Sequence, residues 1–302
     1  MSEGNRFVGA AGDKARRLEK RVEEDDDAYG ALQTYKTFHA RANKKEDFVS
    51  AVDLCRSGST ILLKKQHLTA GTELALLLVE TLESAKIEED ADAKAVVLEV
   101  AKAFEEVENK KDAAKNQARF LKACIVWSQL SHCGNFEKGD PALHRLAAGA
   151  KVRMGDISGA ATHYLHAREP KEFATFLYQW TSMGYQGERD LFLARAVLQL
   201  LALENLKDAN TLYDTFVGLL AMKKTPLQDT PLAHFVKFLL RAVECDAYPL
   251  FKMLCEKYQP SIQRDANFQM YLDRISEMYF GIKAQKRGFQ AIIDSMLQGF
   301  GG

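Results

Sequence analysis

The amino-acid sequence predicts an all-α protein, built as an α-solenoid of irregular tetratricopeptide-like helical hairpins. Three observations predict this class. Apolar residues recur at helical spacing along almost the whole chain, strand-like alternation is nearly absent, and only 6 of the 302 residues are proline. With 47% hydrophobic and 27% charged residues, the chain can bury a large core. An ordinary globular helix bundle is the alternative architecture.

A short motif recurs at three predicted helix starts. It consists of an aspartate, two variable residues, a small residue, an alanine and, one turn later, a larger apolar residue. The copies begin at Asp27, Asp47 and Asp156. The aspartate suits a helix N-cap, the small pair would let a neighbouring helix approach, and the apolar residue lies on the same face. This logic is that of a degenerate tetratricopeptide repeat and favours the solenoid over the bundle.

Apolar periodicity also places the individual helices. The first covers 13–24 and the second carries the motif at Asp27. The third begins at Phe48, and residues 56–58 (Arg-Ser-Gly) are expected to interrupt it. The stretch 222–231 holds two prolines and no helical period, which predicts a loop or a short hairpin between helices. Such an insertion suits a partner site, and a plain surface connection explains the residues equally well. Further helices are predicted over 73–85, 93–107, 113–130, 173–180, 190–203, 206–220, 232–243, 248–258 and 268–280.

We divide the chain into a flexible N-terminus (1–12), an N-terminal half of the solenoid (13–155) and a C-terminal half (156–302). The five cysteines form no Cys-x-x-Cys pair, which is typical of a reduced, cytosolic protein. The N-terminus lacks the apolar segment of a signal peptide, and no apolar run reaches membrane-spanning length. We therefore expect a cytosolic protein that does not insert into membranes.

The sequence lacks the motifs of common catalytic sites. It contains no Gly-x-Gly-x-x-Gly, Walker loop, Gly-x-Ser-x-Gly or His-Glu-x-x-His. His163 and His166, three residues apart, are a weak metal candidate, and a polar helix face explains them better. Lysine plus arginine equals aspartate plus glutamate at 41 each, so no global charge points to nucleic acid. We expect no enzyme, no catalytic residues, no cofactor and no metal. An all-helical enzyme would need metal ligands that the sequence does not supply.

A basic surface is predicted at the N-terminal end of the chain. Lys14, Arg17 and Arg21 share one face of the first helix, and Lys36 and Arg41 follow on the second. Such a surface would attract an acidic partner, whereas a solvated helix face is the alternative.

The last residues form a second candidate surface. Apolar residues from Phe289 to Phe300 recur with nearly ideal helical period. An amphipathic helix here would either cap the last apolar groove of the solenoid or dock on a partner. Adsorption to a membrane is a weaker option because the polar face is not basic.

Several segments together resemble the Golgi-to-ER traffic protein 4 family. They include Phe192–Gln199, Leu254–Ser261 and Tyr271–Ile275, and the resemblance runs from about Lys14 to the end of the chain. It implies an α-solenoid adaptor without catalytic activity, which acts in post-translational targeting of tail-anchored membrane proteins to the endoplasmic reticulum. The N-terminal half would bind the targeting ATPase and the C-terminal half a ubiquitin-like protein. In animals a large scaffold of the BAG class also takes part.

The alternative is a helical-repeat scaffold subunit of another cytosolic complex, of the proteasome-lid or translation-factor type. Such chains usually end in a winged-helix module with a β-hairpin, and no strand pair closes this sequence.

The resemblance also assigns residues to the two partner surfaces. The ATPase face would comprise basic residues, a tyrosine and an acidic residue ahead of the fourth helix: Lys14, Arg17, Arg21, Tyr29, Lys36, Arg41 and Glu73. For the ubiquitin-like partner we assign the proline loop, the helix after it and the terminal segment: Pro226, Leu227, Pro231, Phe235, Phe289 and Ile293. One departure from the family pattern is Asp26-Asp27, which replaces a Gly-Asp turn before the second helix.

Overall fold

The computed structural model describes residues 4–24, 27–131, 138–183, 186–224, 227 and 229–282, without the side chains of Lys14, Arg21, Met183 and Gln186. Every regular element within these ranges is helical, which confirms the predicted all-α class. The chain forms two compact units, residues 1–168 and 169–302. None of the described helices is both long and apolar enough to span a bilayer.

The first unit holds α1 (Asp13–Glu24), α2 (Ala28–Lys44), α3 (Phe48–Lys64), α4 (Leu68–Ser84), α5 (Ala91–Ala103), α6 (Lys110–Leu130), α7 (Pro141–Met154) and α8 (Ile157–Tyr164). The second unit holds α9 (Pro170–Met183), α10 (Arg189–Ala202), α11 (Leu206–Met222), α12 (Pro231–Glu244), α13 (Tyr248–Lys257), α14 (Gln259–Ile262) and α15 (Phe268–Phe280). In the first unit α2, α4 and α6 pack in one layer, and α1, α3 and α5 in the other. This two-layer stacking of hairpins is the solenoid arrangement.

The boundary between the units lies one helix later than the sequence division. Helix α8 packs on α7 within the first unit, whereas the sequence analysis begins the second half at residue 156. The assignment of one partner to each half stays a prediction.

The recurring aspartate motif does cap helices, as predicted. The side chains of Asp27, Asp47 and Asp156 accept hydrogen bonds from the backbone N–H groups three residues on. The small residue at that third position has a different purpose from the one expected. A Cβ on Gly30 would come within 2.1 Å of its own cap's carboxylate oxygen, and Gly159 is crowded by its cap in the same way. At Gly30 and Gly159 the absent Cβ therefore makes room for the capping side chain, whereas Ser50 keeps its Cβ beside Asp47. The buried alanine that follows faces the core in all three copies.

The predicted interruption of the third helix at 56–58 is wrong, because α3 runs unbroken from Phe48 to Lys64. A Cβ on Gly58 would lie 2.6 Å from the Leu74 side chain and 2.9 Å from the Tyr35 ring. The glycine therefore allows α2 and α4 to approach α3 closely. Packing at this crossing outweighs the loss of about 1 kcal/mol of helix propensity that glycine brings.

One turn geometry joins many of the helices. A residue in the left-handed region follows the helix, and the next residue donates its backbone N–H to a carbonyl five positions earlier. Asp47 bonds Ala42 in this way, after Glu46 at φ 57°. The same pattern recurs after α3, α4, α7, α10 and α12. All but one of these left-handed residues carry side chains. The turn therefore recurs between the helices without requiring glycine.

The N-terminal residues 5–11, called the strap below, are held against the first unit. The Phe7 side chain is 1% exposed and lies in the core cluster formed with α3 to α7. Arg6 pairs with Asp90 at 2.5 Å, and Asn5 Nδ2 donates to the Asp92 carbonyl at 2.8 Å. These contacts differ from the flexible N-terminus expected over 1–12. A single buried aromatic, without periodic neighbours, fixes the segment.

In the second unit, two buried carboxylates tie α10 to the segments around it. Asp190 accepts from Thr230 Oγ1 at 2.8 Å and from Arg264 Nη1 at 2.7 Å. Arg195, also on α10, donates to Asp265 Oδ2 through Nε at 2.9 Å and Nη2 at 2.6 Å. The start of α12 and the turn before α15 are thereby fixed on α10, around which α11, α12 and α15 pack.

Candidate partner-binding surfaces

The predicted basic surface centres on α2, where it meets α4. Lys36 Nζ contacts the Glu73 carboxylate across the α2–α4 packing. Lys36 is half-buried and Glu73 is exposed, so the pair lies at the rim of this crossing. The structure thus brings together two residues that are 37 positions apart.

The other residues of this surface lie on α1 and α2. Tyr29, in the first turn of α2, is 73% exposed, and its spacing of seven from Lys36 places both on one helix face. The Arg41 guanidinium carbon lies 5.7 Å from the centre of the Phe38 ring, a cation–π distance. Arg17 is exposed on α1. Lys14 and Arg21 lie on the same helix, but their side chains are outside the description.

The Lys36–Glu73 pair determines which cations of this surface are available to a partner. A partner carboxylate that takes Lys36 must compete with Glu73. Arg41, which has no ion pair among the described residues, is available without that competition. The pair is also open to solvent on one side, so salt will weaken it and any contact that replaces it.

The second unit carries a groove between α11 and α12. A cavity of about 250 Å³ is lined by Tyr213, Val217, Ala221, Leu227, Asp229, Ala233, His234 and Lys237. Asp229 and His234 pair at its edge. Met222 and Phe238 are exposed large apolar side chains on the same two helices. The groove therefore has mostly apolar walls and a polar pair at its edge, and exposed apolar side chains lie on the two helices that form it, which suits the binding of a protein segment.

Residues assigned to the ubiquitin-like partner divide between this groove and the core. Leu227 lines the groove, and Pro231 is exposed at the first position of α12. Phe235 is 0% exposed and packs on the Tyr258 ring, so its placement on a surface is corrected. The apolar period of α12 turns Phe235 inward, and Phe238 is the aromatic that this helix exposes. Pro226, Phe289 and Ile293 lie outside the described residues.

The sequence pairs His163 with His166 but gives no sign that His144 joins them in a cluster at α7 and α8. His144 Nδ1 lies 3.0 Å from His163 Nδ1, and its Nε2 is 2.8 Å from the Lys138 carbonyl. The His166 ring centre is 5.1 Å from that of His144. Burial, together with repulsion from neighbouring cations, lowers the pKa of His163 and of His166 to about 4. No group of the described residues is arranged to hold a metal ion.

The histidine cluster makes the first unit sensitive to acid. The unfolded histidines protonate near pH 6.5, whereas the folded ones stay neutral down to about pH 4. Stability is therefore complete above pH 6.5 and falls as the pH drops towards 4. In urea unfolding we expect these histidines to contribute a loss of about 2 kcal/mol between pH 7 and pH 5. Glu89, whose pKa burial raises to about 7, contributes in the opposite direction, so the test is the difference between variants: His163→Gln should make the change with pH less unfavourable. Ser158→Gln, on the exposed face of α8 and without a titratable group, is the control and should leave the slope unchanged. An equal slope in both variants would contradict the assignment.

Comparison with known proteins identifies the family to which the chain belongs. The sequence profile described as Golgi to ER traffic protein 4 matches residues 45–300. The chain belongs to the Golgi to ER traffic protein 4 family. The resemblance inferred from the sequence is thereby confirmed.

Relatives of this family match the chain over most of its length. A Golgi to ER traffic protein 4 homolog of Dictyostelium discoideum is 31% identical over 91% of this chain and 85% of its own. Protein GET4 of Arabidopsis thaliana is 32% identical over 87% and 89%. The human homolog is 31% identical over 86% and 77%. Membership of the family supports a role in tail-anchored protein targeting between Golgi and ER.

A solved structure of the family shares the fold. The crystal structure of C. therm. Get4 superposes with a TM-score of 0.83 at 28% identity, covering 95% of this chain and 94% of that one. The relatives are named as traffic proteins.

Proposed function

We propose that this protein is a cytosolic adaptor without catalytic activity of its own, which bridges a tail-anchored targeting ATPase and a ubiquitin-like partner. The first unit binds the ATPase and the second binds the ubiquitin-like protein. In an organism that has a BAG-class scaffold, that scaffold joins the complex. Family membership supports the pathway, and the two separate surfaces support the division of labour.

The observation that carries the ATPase assignment is the Lys36–Glu73 contact. It joins a basic helix face to an acidic residue on the next helix of the same layer. Tyr29 and Arg41 are directly available to a partner. Lys36, which is paired with Glu73, is available only to an anion that displaces that carboxylate. An acidic ATPase surface that binds here would displace Glu73 from Lys36, which makes Glu73 a natural point of regulation.

Reversing the basic charges of α2 tests the proposal. We expect Lys36→Glu/Arg41→Glu to weaken retention of a purified tail-anchored targeting ATPase, with nucleotide present, by at least about tenfold at low salt. The loss should shrink as salt is raised, because exposed charges are then screened. Titration of immobilised protein with the ATPase measures both effects.

Two controls separate binding from folding. Lys102→Glu/Lys171→Glu makes the same change in net charge on exposed lysines elsewhere and should bind normally. The swap Lys36→Glu/Glu73→Lys keeps an ion pair of opposite polarity, and should therefore fold normally while losing affinity. If neither α2 variant changes ATPase binding, these residues are not in the interface. If the unaltered protein does not retain the ATPase, the adaptor function itself fails.

A further inference from the structure

Helix α6 exposes a stripe of four cations that the surfaces above do not include. Lys111, Lys115, Arg119 and Lys122 are all exposed, and their spacing of four, four and three residues aligns them on one face. Two apolar side chains, Val126 and Leu130, continue the same face toward the end of the helix. Leu130 is 67% exposed. We call these six residues the α6 stripe.

The charge pattern of this stripe differs from that of other exposed helix faces in the chain. On α1, α12, α13 and α15, exposed cations pair with carboxylates three or four residues away on their own helix. Such pairs are Arg16–Asp13, Lys20–Glu24, Arg241–Glu244, Lys252–Glu256 and Arg274–Glu277. Within the described residues, by contrast, the four cations of the α6 stripe make no ion pair or side-chain hydrogen bond.

The α6 stripe lowers the stability of the helix that carries it. Lys111 and Lys115, Lys115 and Arg119, and Arg119 and Lys122 are like-charged neighbours at helical contact spacing, and such pairs destabilise a helix. No described carboxylate forms an ion pair with them, and the exposed Val126 and Leu130 gain nothing from burial. A partner that supplies carboxylates and an apolar cover would satisfy both deficits.

The surroundings favour a protein partner over a nucleic acid. Exposed Glu80 and Glu83 lie on α4, which packs beside α6, and Asp112 lies at the start of the stripe. A phosphate backbone would be repelled by these carboxylates, and it has no use for the apolar end. The cations span about 16 Å of helix, the length of three turns. A helix laid along the stripe can meet each cation with a carboxylate of matching period.

We propose that the α6 stripe is a docking surface for an acidic helical segment of a partner protein, with an apolar residue that covers Val126 and Leu130. The site is separate from the α2 surface and does not depend on the ATPase assignment.

Fluorescence anisotropy with the full-length protein tests the proposal. The probe is a labelled alanine-based helical peptide with glutamates every third or fourth residue along one face and a leucine at the end of that face. We expect saturable binding that weakens with salt, a loss of at least about tenfold in Lys115→Glu/Arg119→Glu, and a smaller loss in Val126→Ser. Lys102→Glu/Lys171→Glu, with the same net charge, should bind as tightly as the unaltered protein.

A second measurement shows that the variant is folded. Lys115→Glu/Arg119→Glu turns two of the three repulsive pairs into attractive ones and should raise the Tm by about 2 °C. Equal peptide binding by Lys115→Glu/Arg119→Glu and by the unaltered protein would overturn the proposal. So would tighter binding of an oligonucleotide with the same number of charges, since that would assign the stripe to nucleic acid.

Discussion

Replacing Asp53 by alanine is expected to lower the free energy of unfolding by about 3–5 kcal/mol. Asp53 is a buried carboxylate on α3 that accepts two hydrogen bonds from the Arg56 guanidinium, at 3.0 and 2.8 Å. Its other oxygen accepts the backbone N–H of Ala11, at the end of the strap, at 2.9 Å. The substitution therefore leaves a guanidinium that is only 13% exposed, and a backbone donor, without their acceptor.

The free-energy cost of Asp53→Ala comes from the buried donors that lose their acceptor. Arg56 keeps one partner, Glu99 at 2.7 Å, which is half-exposed and only partly offsets the buried charge. Chemical denaturation followed by circular dichroism measures the change. Glu99→Ala is the matched control, and we expect it to cost less than about 1 kcal/mol because the carboxylate it removes faces solvent. A loss in Asp53→Ala no larger than that of the control would show that the network is dispensable.

Replacing Phe7 by alanine is expected to cost about 3 kcal/mol, the second large effect. The ring is the only part of the strap that enters the core, where it fills space between helices of the first unit. The Arg6 guanidinium also lies over it, 4.6 Å from its centre. Without the ring, the remaining polar contacts of the strap are exposed or half-exposed, and they are too weak to hold it.

Limited proteolysis beside denaturation distinguishes detachment of the strap from a general loss of packing. Phe7→Ala should make the first residues sensitive to protease while the helices stay protected. The neighbouring Val8→Ala is the control, since Val8 is exposed, and it should change stability by no more than about 0.5 kcal/mol. A protected strap in Phe7→Ala would mean that its hydrogen bonds suffice.

The sequence predicted the features that depend on interactions between residues close together in the chain. Asp27, Asp47 and Asp156 could be recognised as caps because the capping carboxylate and the N–H that it accepts lie three residues apart. The start of α7 at Pro141, after the cap Asp140, was readable for the same reason. Apolar period likewise located most helices, because it reports which face of a helix is buried.

What depends on tertiary packing was not predictable in this way. Gly58 looks like a helix breaker until α2 and α4 are placed against it. The left-handed residues between helices, such as Gln66 and Lys86, carry no glycine signal, because backbone hydrogen bonds alone hold them. His144 lies 19 residues from His163, and only the packing of α7 on α8 joins them.

For the candidate sites, the family resemblance supplied what periodicity could not. Lys36 and Glu73 were assigned to one surface by resemblance, and the structure adds that they touch. Phe235 was misplaced although the apolar period of α12 puts it on the buried stripe with Leu232 and Leu239. The assignment of partners to these surfaces remains for experiment.

The strap has a consequence for the order in which the protein folds. Each helical hairpin closes over a short turn, so its contacts form between near neighbours in sequence and need little loop-closure entropy. The strap, in contrast, docks on residues about 40 to 90 positions away, such as Asp53 and Asp92. It therefore has no surface to bind until α3 and α5 are already packed. Folding begins in the hairpins and ends with the strap, so the strap governs how fast the first unit opens and has little influence on how fast it forms.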